Sequence, residues 1–409
     1  MKRTIKLAVV AALALGATSA FATNGATMIG VGAKSFGMGG TGIGVGHGAE
    51  SALANPALIT TIKGNNEVSF GGTVFMPDIK IDGIMGATEG ESSSDFFVIP
   101  SVSLASKVND NFYWGIGMWG TGGLGVDYRN DVAQMNMVTA LQTMQFGVPL
   151  AYTTNGFTVA ATPIVQYSSL DINYVMPGGG AGALTGQDIG SGAAQDIAIG
   201  YNIGLSYETD GLTVGAVYKS EIKYDIDEVV SHAVTSMYDS MYGVSTDFYN
   251  QDEMATPSEY GVGVSYATQG HTLAVDYKHI AWEDAEVYQD FGWEDQDVIA
   301  VGYEYATDGW AVRAGYQYAE SAVQDNTGKG LYLDTIANLT NTFNLLGFPG
   351  TQESHITLGG TYAFNETLSL DVAAVFGLEN KEKFTVFTGA EAEQTHSEQG
   401  YSVQLNYAF

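Results

Sequence analysis

Cations are scarce in this chain: Lys and Arg number 15 of 409 residues, against 45 Asp and Glu. Lys219, Lys278 and Arg313 stand in stretches of alternating polarity, opposite Tyr218, Tyr277 and Val312, and so share a polar face. A ligand carboxylate would seek such a group, which makes all three candidate head-group partners. Asp276, Glu304 and Glu221 lie on the same face, so an internal ion network competes for these cations. A neutral ligand would need none of them.

Other chemistry is thinner. The six histidines are scattered. His47 lies near the front of the chain, His232 in a long loop, and His279 has Asp284 nearby but no matching serine. A Ser-His-acid hydrolase needs all three groups at one depth. No His/Asp/Glu cluster has metal-ligand spacing, and no cofactor is expected. The early glycines, Gly30 and Gly32 among them, can be forced into G-x-G-x-x-G, but no strand precedes them and no βαβ unit follows. With a net charge of −30 the chain offers nucleic acid no basic patch.

The elements that must position these residues have period two. In "DIAIGYNIGLSY", Ile197, Ile199, Tyr201, Ile203, Leu205 and Tyr207 share one face, while Gly, Ser, Asn and Ala dominate the other. Similar stretches follow at "SEYGVGVSYAT", "DVIAVGYEYAT", "HITLGGTYAF" and "ETLSLDVAAVF". Short turns at "KVNDN", "TTNGF", "ETDGL", "ATQGH", "ATDGW" and "FNETL" alternate with long polar connections near 79–93, 121–140, 176–195, 229–256, 283–295, 321–352 and 381–396. Asn-Gly and Asp-Gly favour type I′ hairpins. Six turns and seven long loops imply about fourteen antiparallel strands, the layout of an all-β outer-membrane barrel. In "YSVQLNYAF" the last apolar face ends on Phe409, which resembles the signal read by the bacterial barrel-assembly machinery.

The front of the chain has two parts. Lys2, Arg3 and Lys6, the apolar run Leu7 to Leu15, and Ala20-Phe21-Ala22 read as a secretory signal peptide over residues 1–22. Its removal takes three cations from −30, leaving about −33. No later stretch is long and apolar enough for a transmembrane helix. Residues 23–63 are glycine-laced and non-alternating, and residues 64–409 carry the strands. Asn55 is placed to cap a helical turn with Pro56 at its first position.

This N-terminal stretch resembles that of the FadL/TodX family of outer-membrane transporters. The shared features are Asn24-Gly25, the run closing on Gly37-Met38-Gly39-Gly40, and Asn55-Pro56-Ala57. "TPSEYGVGVSYAT" and the Arg313 hairpin "WEDQDVIAVGYEYATDGWAVRAGYQYAES" are similar to the family as well. The resemblance implies a monomeric fourteen-strand barrel filled by a hatch, taking up long-chain fatty acids or hydrocarbons passively.

Two further sites follow. Val230, Val234, Met237, Tyr238, Met241 and Tyr242 recur at helical spacing in a loop. Such a Met/Tyr face suits packing on another loop, ligand contact, or both. By resemblance, it would form an outer ligand groove with Met176, Leu184 and Ile189. The third strand, "WGIGMWGTGGLGVDY", carries Gly120, Gly122, Gly123 and Gly125, which permit a bulge. The family is understood to release ligand sideways through a kink there. The rival readings are an open diffusion porin, which would have no hatch, and an outer-membrane lipid hydrolase.

Overall fold

The computed structural model describes residues 23–85, 89–176, 186–328 and 334–409; the leader assigned to residues 1–22 and Leu184 of the expected groove lie outside them. The wall opens with β1 (Asn66–Asp82), β2 (Phe97–Lys107) and β3 (Phe112–Asp127). β4 runs Val138–Gly147 and resumes at Leu150–Thr154 beyond Val148-Pro149. Then come β5 (Phe157–Val175), β6 (Ala194–Thr209), β7 (Leu212–Lys219), β8 (Glu259–Thr268) and β9 (His271–Ile280). β10 (Gln296–Ala306), β11 (Trp310–Tyr318), β12 (Ser354–Ala363), β13 (Leu368–Thr385) and β14 (Glu391–Ala408) complete fourteen strands.

Each strand pairs antiparallel with the next, and β14 closes on β1 from Glu393↔Asp82 to Ala408↔Glu67. Closure leaves no sheet edge for hydrocarbon to solvate, so the wall satisfies its own backbone. Alternation then sorts side chains. Ile199 is 80% exposed, and Val262, Leu358 and Val403 are exposed on the same outer surface. Exposed Tyr218, Tyr260 and Tyr277 adjoin one another near the long-loop end, through Tyr218↔Tyr260 and Val262↔Tyr277. Tyr152, Phe157, Tyr407 and Phe409 serve the turn end. An apolar band between aromatic girdles is what a lipid-facing barrel surface requires.

The turns follow local chemistry, with one exception. Asn155-Gly156, Asp210-Gly211 and Gln269-Gly270 have φ of 50 and 81°, 46 and 83°, and 50 and 82°, the double positive φ of type I′. Asp308-Gly309 does not. There the Thr307 N–H donates to Trp310 O at 2.8 Å, and the Thr307 hydroxyl oxygen accepts from Trp310 N at 3.2 Å. A threonine that closes the turn with its own side chain removes the need for a left-handed pair.

Strand limits also differ from the expectation. β3 reaches Asp127 and β4 begins at Val138, so much of 121–140 is strand. β13 and β14 likewise extend to Thr385 and from Glu391. Charge there marks water on both faces and not an end of pairing: Lys381 and Lys383 stand 3.6 and 2.8 Å from Glu393 across the hairpin.

Candidate functional site

Residues 23–63 take no place in the ring of strands. They form a hairpin of Thr23–Asn24 and Thr27–Met28, α1 (Gly32–Gly37), a 3-10 turn at Gly48–Glu50, α2 (Ser51–Ala54) and a 3-10 helix at Pro56–Thr61. Where this segment meets the wall, glycine meets glycine. A β-carbon on Gly315 would lie 2.1 Å from Gly39 N, one on Gly263 2.4 Å from Gly44 N, and one on Gly359 2.9 Å from Gly37 Cα. Gly39 and Gly40 also hold φ of 69 and 83°, so the run around buried Met38 tolerates no side chains on either count.

Polar anchors fix the same seating. Asp276 on β9 accepts the backbone N–H groups of Gly42, Ile43 and Gly44 at 2.7, 2.7 and 3.1 Å. Glu67 accepts those of Ala49 and Lys63, each at 2.9 Å. Asn55 Oδ1 accepts from Ala57 N at 3.1 Å and caps the 3-10 helix with Pro56 at its start; Asn55 Nδ2 donates to Ile43 O at 2.9 Å and Leu205 O at 3.2 Å. The Asn-Pro-Ala motif therefore joins the segment to itself and to β6. Asn24 is fully buried, and Gly25 faces the Trp282 ring, where a β-carbon would come within 2.7 Å.

The candidate cations divide. Arg313 Nη2 stands 2.6 Å from Glu304 Oε2 and Arg313 Nη1 3.8 Å from Asp371, which Lys34 of the segment reaches at 3.6 Å. Lys219 lies 3.1 Å from Glu259, while Glu221 pairs with Lys223 at 3.9 Å and not with Lys219. Lys278 has no carboxylate oxygen within 4.0 Å among the described residues. It borders a cavity of 50 Å³ with Lys219, Glu259, Asp276 and Met28.

Two titratable groups of the segment carry no signal in the sequence. Burial pushes the Glu50 carboxyl from 4.5 up to about 8, against the pull of Lys34. Burial also lowers His47 to about 4, opposed by its 2.8 Å contact with Thr41 O. Since that carbonyl only accepts, Nε2 carries the proton of a neutral ring. Lys34 is raised: burial pulls it down, but Asp371, Glu50 and Glu67 outweigh that.

The third strand is irregular at the expected glycines. The β3–β4 register slips between Gly120 and Gly122, leaving Thr121 as the extra residue. The N-terminal hairpin is added there: Thr27 pairs with Gly122, and Gly123 N donates to Ala26 O at 2.9 Å. Gly125 is back in regular register opposite Ala140. Beside the bulge, the buried Trp119 indole lies across Gly117 and Gly147 and donates to Ser103 Oγ at 2.9 Å. A cavity of 40 Å³ lies here among Thr27, Leu53, Thr121, Gln145 and Lys219. The 370 Å³ cavity at the short-turn end is lined by charged Lys34, Glu304, Asp308 and Arg313 together with apolar Met38, Val45 and Trp310.

The expected outer groove is a packed cluster in this structure. Met176, Ile189, Val234 and Met237 are buried together, with Tyr238 and Met241 against them. Helix α3 (Val230–Tyr242) carries the latter four; Tyr238 stacks on Phe248 at 3.8 Å, and Tyr242 remains exposed. An aromatic box continues inward, where Trp282, Tyr288 and Trp293 lie 4.6 to 5.0 Å apart by ring centroid. Sequence reasoning passed over this box, because loop aromatics have no periodicity to expose them.

A closed fourteen-strand antiparallel wall with a lipid-compatible surface defines an outer-membrane barrel. Residues 7–409 match the model of the family described as outer membrane protein transport protein (OMPP1/FadL/TodX), and the chain belongs to that family. It is 25% identical over 429 residues to a long-chain fatty acid transport protein of Escherichia coli O6:H1, covering 90% of this chain and 92% of the relative. It is 22% identical over 412 residues to a 47 kDa outer membrane protein of Pasteurella multocida, with the same coverage. Among solved structures, a Pseudomonas aeruginosa FadL homologue superposes with TM-score 0.70 at 16% identity, covering 94% of this chain and all of that one. The Pseudomonas putida toluene transporter TodX gives 0.65 at 19%, covering 93% and 99%. At such identity, the superpositions establish the fold. The chain is a protein of the Gram-negative outer membrane.

Proposed function

We propose that this barrel carries hydrophobic small molecules, long-chain fatty acids or hydrocarbons, passively across the outer membrane. Residues 1–22 are the leader, 23–63 the hatch and 64–409 the wall of a monomer whose Phe409 strand addresses the barrel-assembly machinery. Ligand lands among the α3 and 176–195 loops, where Met and Tyr side chains can re-pack around it. It passes to the aromatic box of Trp282, Tyr288 and Trp293 above Gly25, then leaves sideways at the β3 bulge. A sideways exit spares the chain of the ligand from water, worth about 0.8 kcal/mol per CH₂.

The observation that carries this reading is the hatch hairpin paired onto β3 at its bulge, through Thr27↔Gly122. A segment that both pairs at the bulge and touches the aromatic box links an apolar cluster to the break in the wall ladder. Among the cations, Lys278 is best placed to meet a carboxylate, since Arg313 and Lys219 are already paired.

Reconstitution tests it. Vesicles holding the protein should take up labelled long-chain fatty acid or hexadecane and should not swell in small sugars. Sugar-driven swelling at porin rates would replace this reading with an open diffusion channel. Ester hydrolysis lost with one histidine would favour the lipid hydrolase.

A further inference from the structure

The Thr23 nitrogen lies 3.0 Å from Glu398 Oε1 on β14. Both residues are buried, at 1% and 2% exposure. The same Oε1 is 2.6 Å from His355 Nε2 on β12, and His396 Nε2 stands 3.6 Å from Glu398 Oε2. Glu398 Oε2, His396 Nε2 and Thr23 Oγ1 have no hydrogen-bond partner among the described residues. A cavity of 10 Å³ opens between Thr23 and His396. A backbone amide can give one hydrogen to this carboxylate, and the site has acceptor capacity left over.

The sequence places a cleavage site immediately before this nitrogen, at Ala20-Phe21-Ala22. Hydrolysis of the Ala22–Thr23 peptide bond by a signal peptidase consumes one water. It leaves a carboxylate on Ala22 and a three-hydrogen α-ammonium on Thr23. A free α-amine has an ordinary pKa of about 8 and is mostly charged at neutral pH.

We propose that the α-ammonium of Thr23, released by cleavage after Ala22, is the resident cation of a buried site made by Glu398, His355 and His396. The ammonium supplies the charge and the extra hydrogens that Glu398 Oε2 lacks. An uncut chain offers one amide hydrogen and no charge, so the site is completed only by processing. The same hairpin pairs Thr27 with Gly122 and lends Ala26 O to Gly123 N. The ion pair thus holds one end of the unit whose other end fills the β3 bulge. Buried carboxylates are tolerated when paired in this way.

The test needs no transported ligand, so it succeeds or fails apart from the proposed uptake. Mass spectrometry of protein taken from outer membranes should give Thr23 as the first residue; any other first residue overturns the proposal. The folded protein is then treated at neutral pH with an amine-acylating reagent, and its N-terminal peptide is compared with the same peptide free in solution. Labelling should be at least about tenfold slower in the barrel, a one-unit difference in effective pKa, and Glu398→Gln should recover most of it. Labelling at the free-peptide rate would overturn the proposal. So would a Glu398→Gln variant as slow as wild type, because burial alone would then protect the amine. Heat-modifiable gel migration checks that the variant barrel is folded. If it is not, a chain with one alanine added before Thr23 keeps Glu398 and moves the ammonium away. Its amine should label at the peptide rate, and continued protection would count against the site.

Discussion

Asp276 Oδ2 accepts the backbone N–H of Gly42 at 2.7 Å, which joins the middle of the N-terminal segment to β9. Ile43 and Gly44 donate to the same carboxylate. Asp276→Ala should leave three N–H groups without acceptors, each costing about 1–3 kcal/mol if it stays buried. The wall keeps its ladder, so barrel melting should change little while the segment loosens. Proteolysis within 23–63 in detergent micelles checks this. Unchanged protection of the segment would mean that the glycine contacts suffice alone.

How much of this was legible beforehand depends on which physics writes into local sequence. Alternation and turn chemistry do so, and Asn155-Gly156 and Asp210-Gly211 stand where they were expected with the expected φ. Asp308-Gly309 misled because Thr307, a neighbour outside the dipeptide, closes that turn. The Gly37 to Gly40 run was visible as a motif, whereas Gly263, Gly315 and Gly359 looked like ordinary residues of a small-side-chain face. Their role exists only once another backbone is laid on them, hundreds of residues away in sequence. Glu50 gave no signal for the same reason: its environment is built from Lys34, Glu67 and Asp371.

Gly315→Ala tests that backbone-on-backbone contact. Its β-carbon would fall 2.1 Å from Gly39 N, and overpacking of this kind costs about 1–3 kcal/mol. The change points away from lipid, so the barrel should assemble normally. The segment should be displaced, and planar-bilayer recordings should show more frequent ion-conducting openings than wild type. A silent channel with normal melting would show that the contact can relax without moving the segment.

Glu50 predicts a pH dependence. Its carboxyl titrates at about 8 in the folded state against 4.5 ordinarily, because burial disfavours the charge more than Lys34 restores it. The folded state therefore binds this proton more tightly. The resulting stability is fully present below 4.5 and is lost as pH rises through about 8. Tryptic cleavage after Lys34, normalised to a free peptide at each pH, should increase across that window. Glu50→Gln should flatten the profile, and an unaltered profile would assign the effect to another group.

Under the proposed function, Lys278 should separate charged from neutral ligands. Its ammonium has no carboxylate oxygen within 4.0 Å among the described residues and borders a 50 Å³ cavity between the N-terminal segment and the wall. Lys278→Met keeps the length of the side chain and removes the charge. Affinity for a long-chain fatty acid should fall about tenfold, as for loss of one charge-assisted contact, while affinity for an alkane of the same length should hold. Lys219→Met should behave differently, since it strands Glu259, now 3.1 Å from Lys219, as an unpaired buried carboxylate. That variant should lower the melting temperature of the barrel and weaken both ligands together. Equal losses for fatty acid and alkane in Lys278→Met would mean that the ammonium shapes the lumen without meeting the head group.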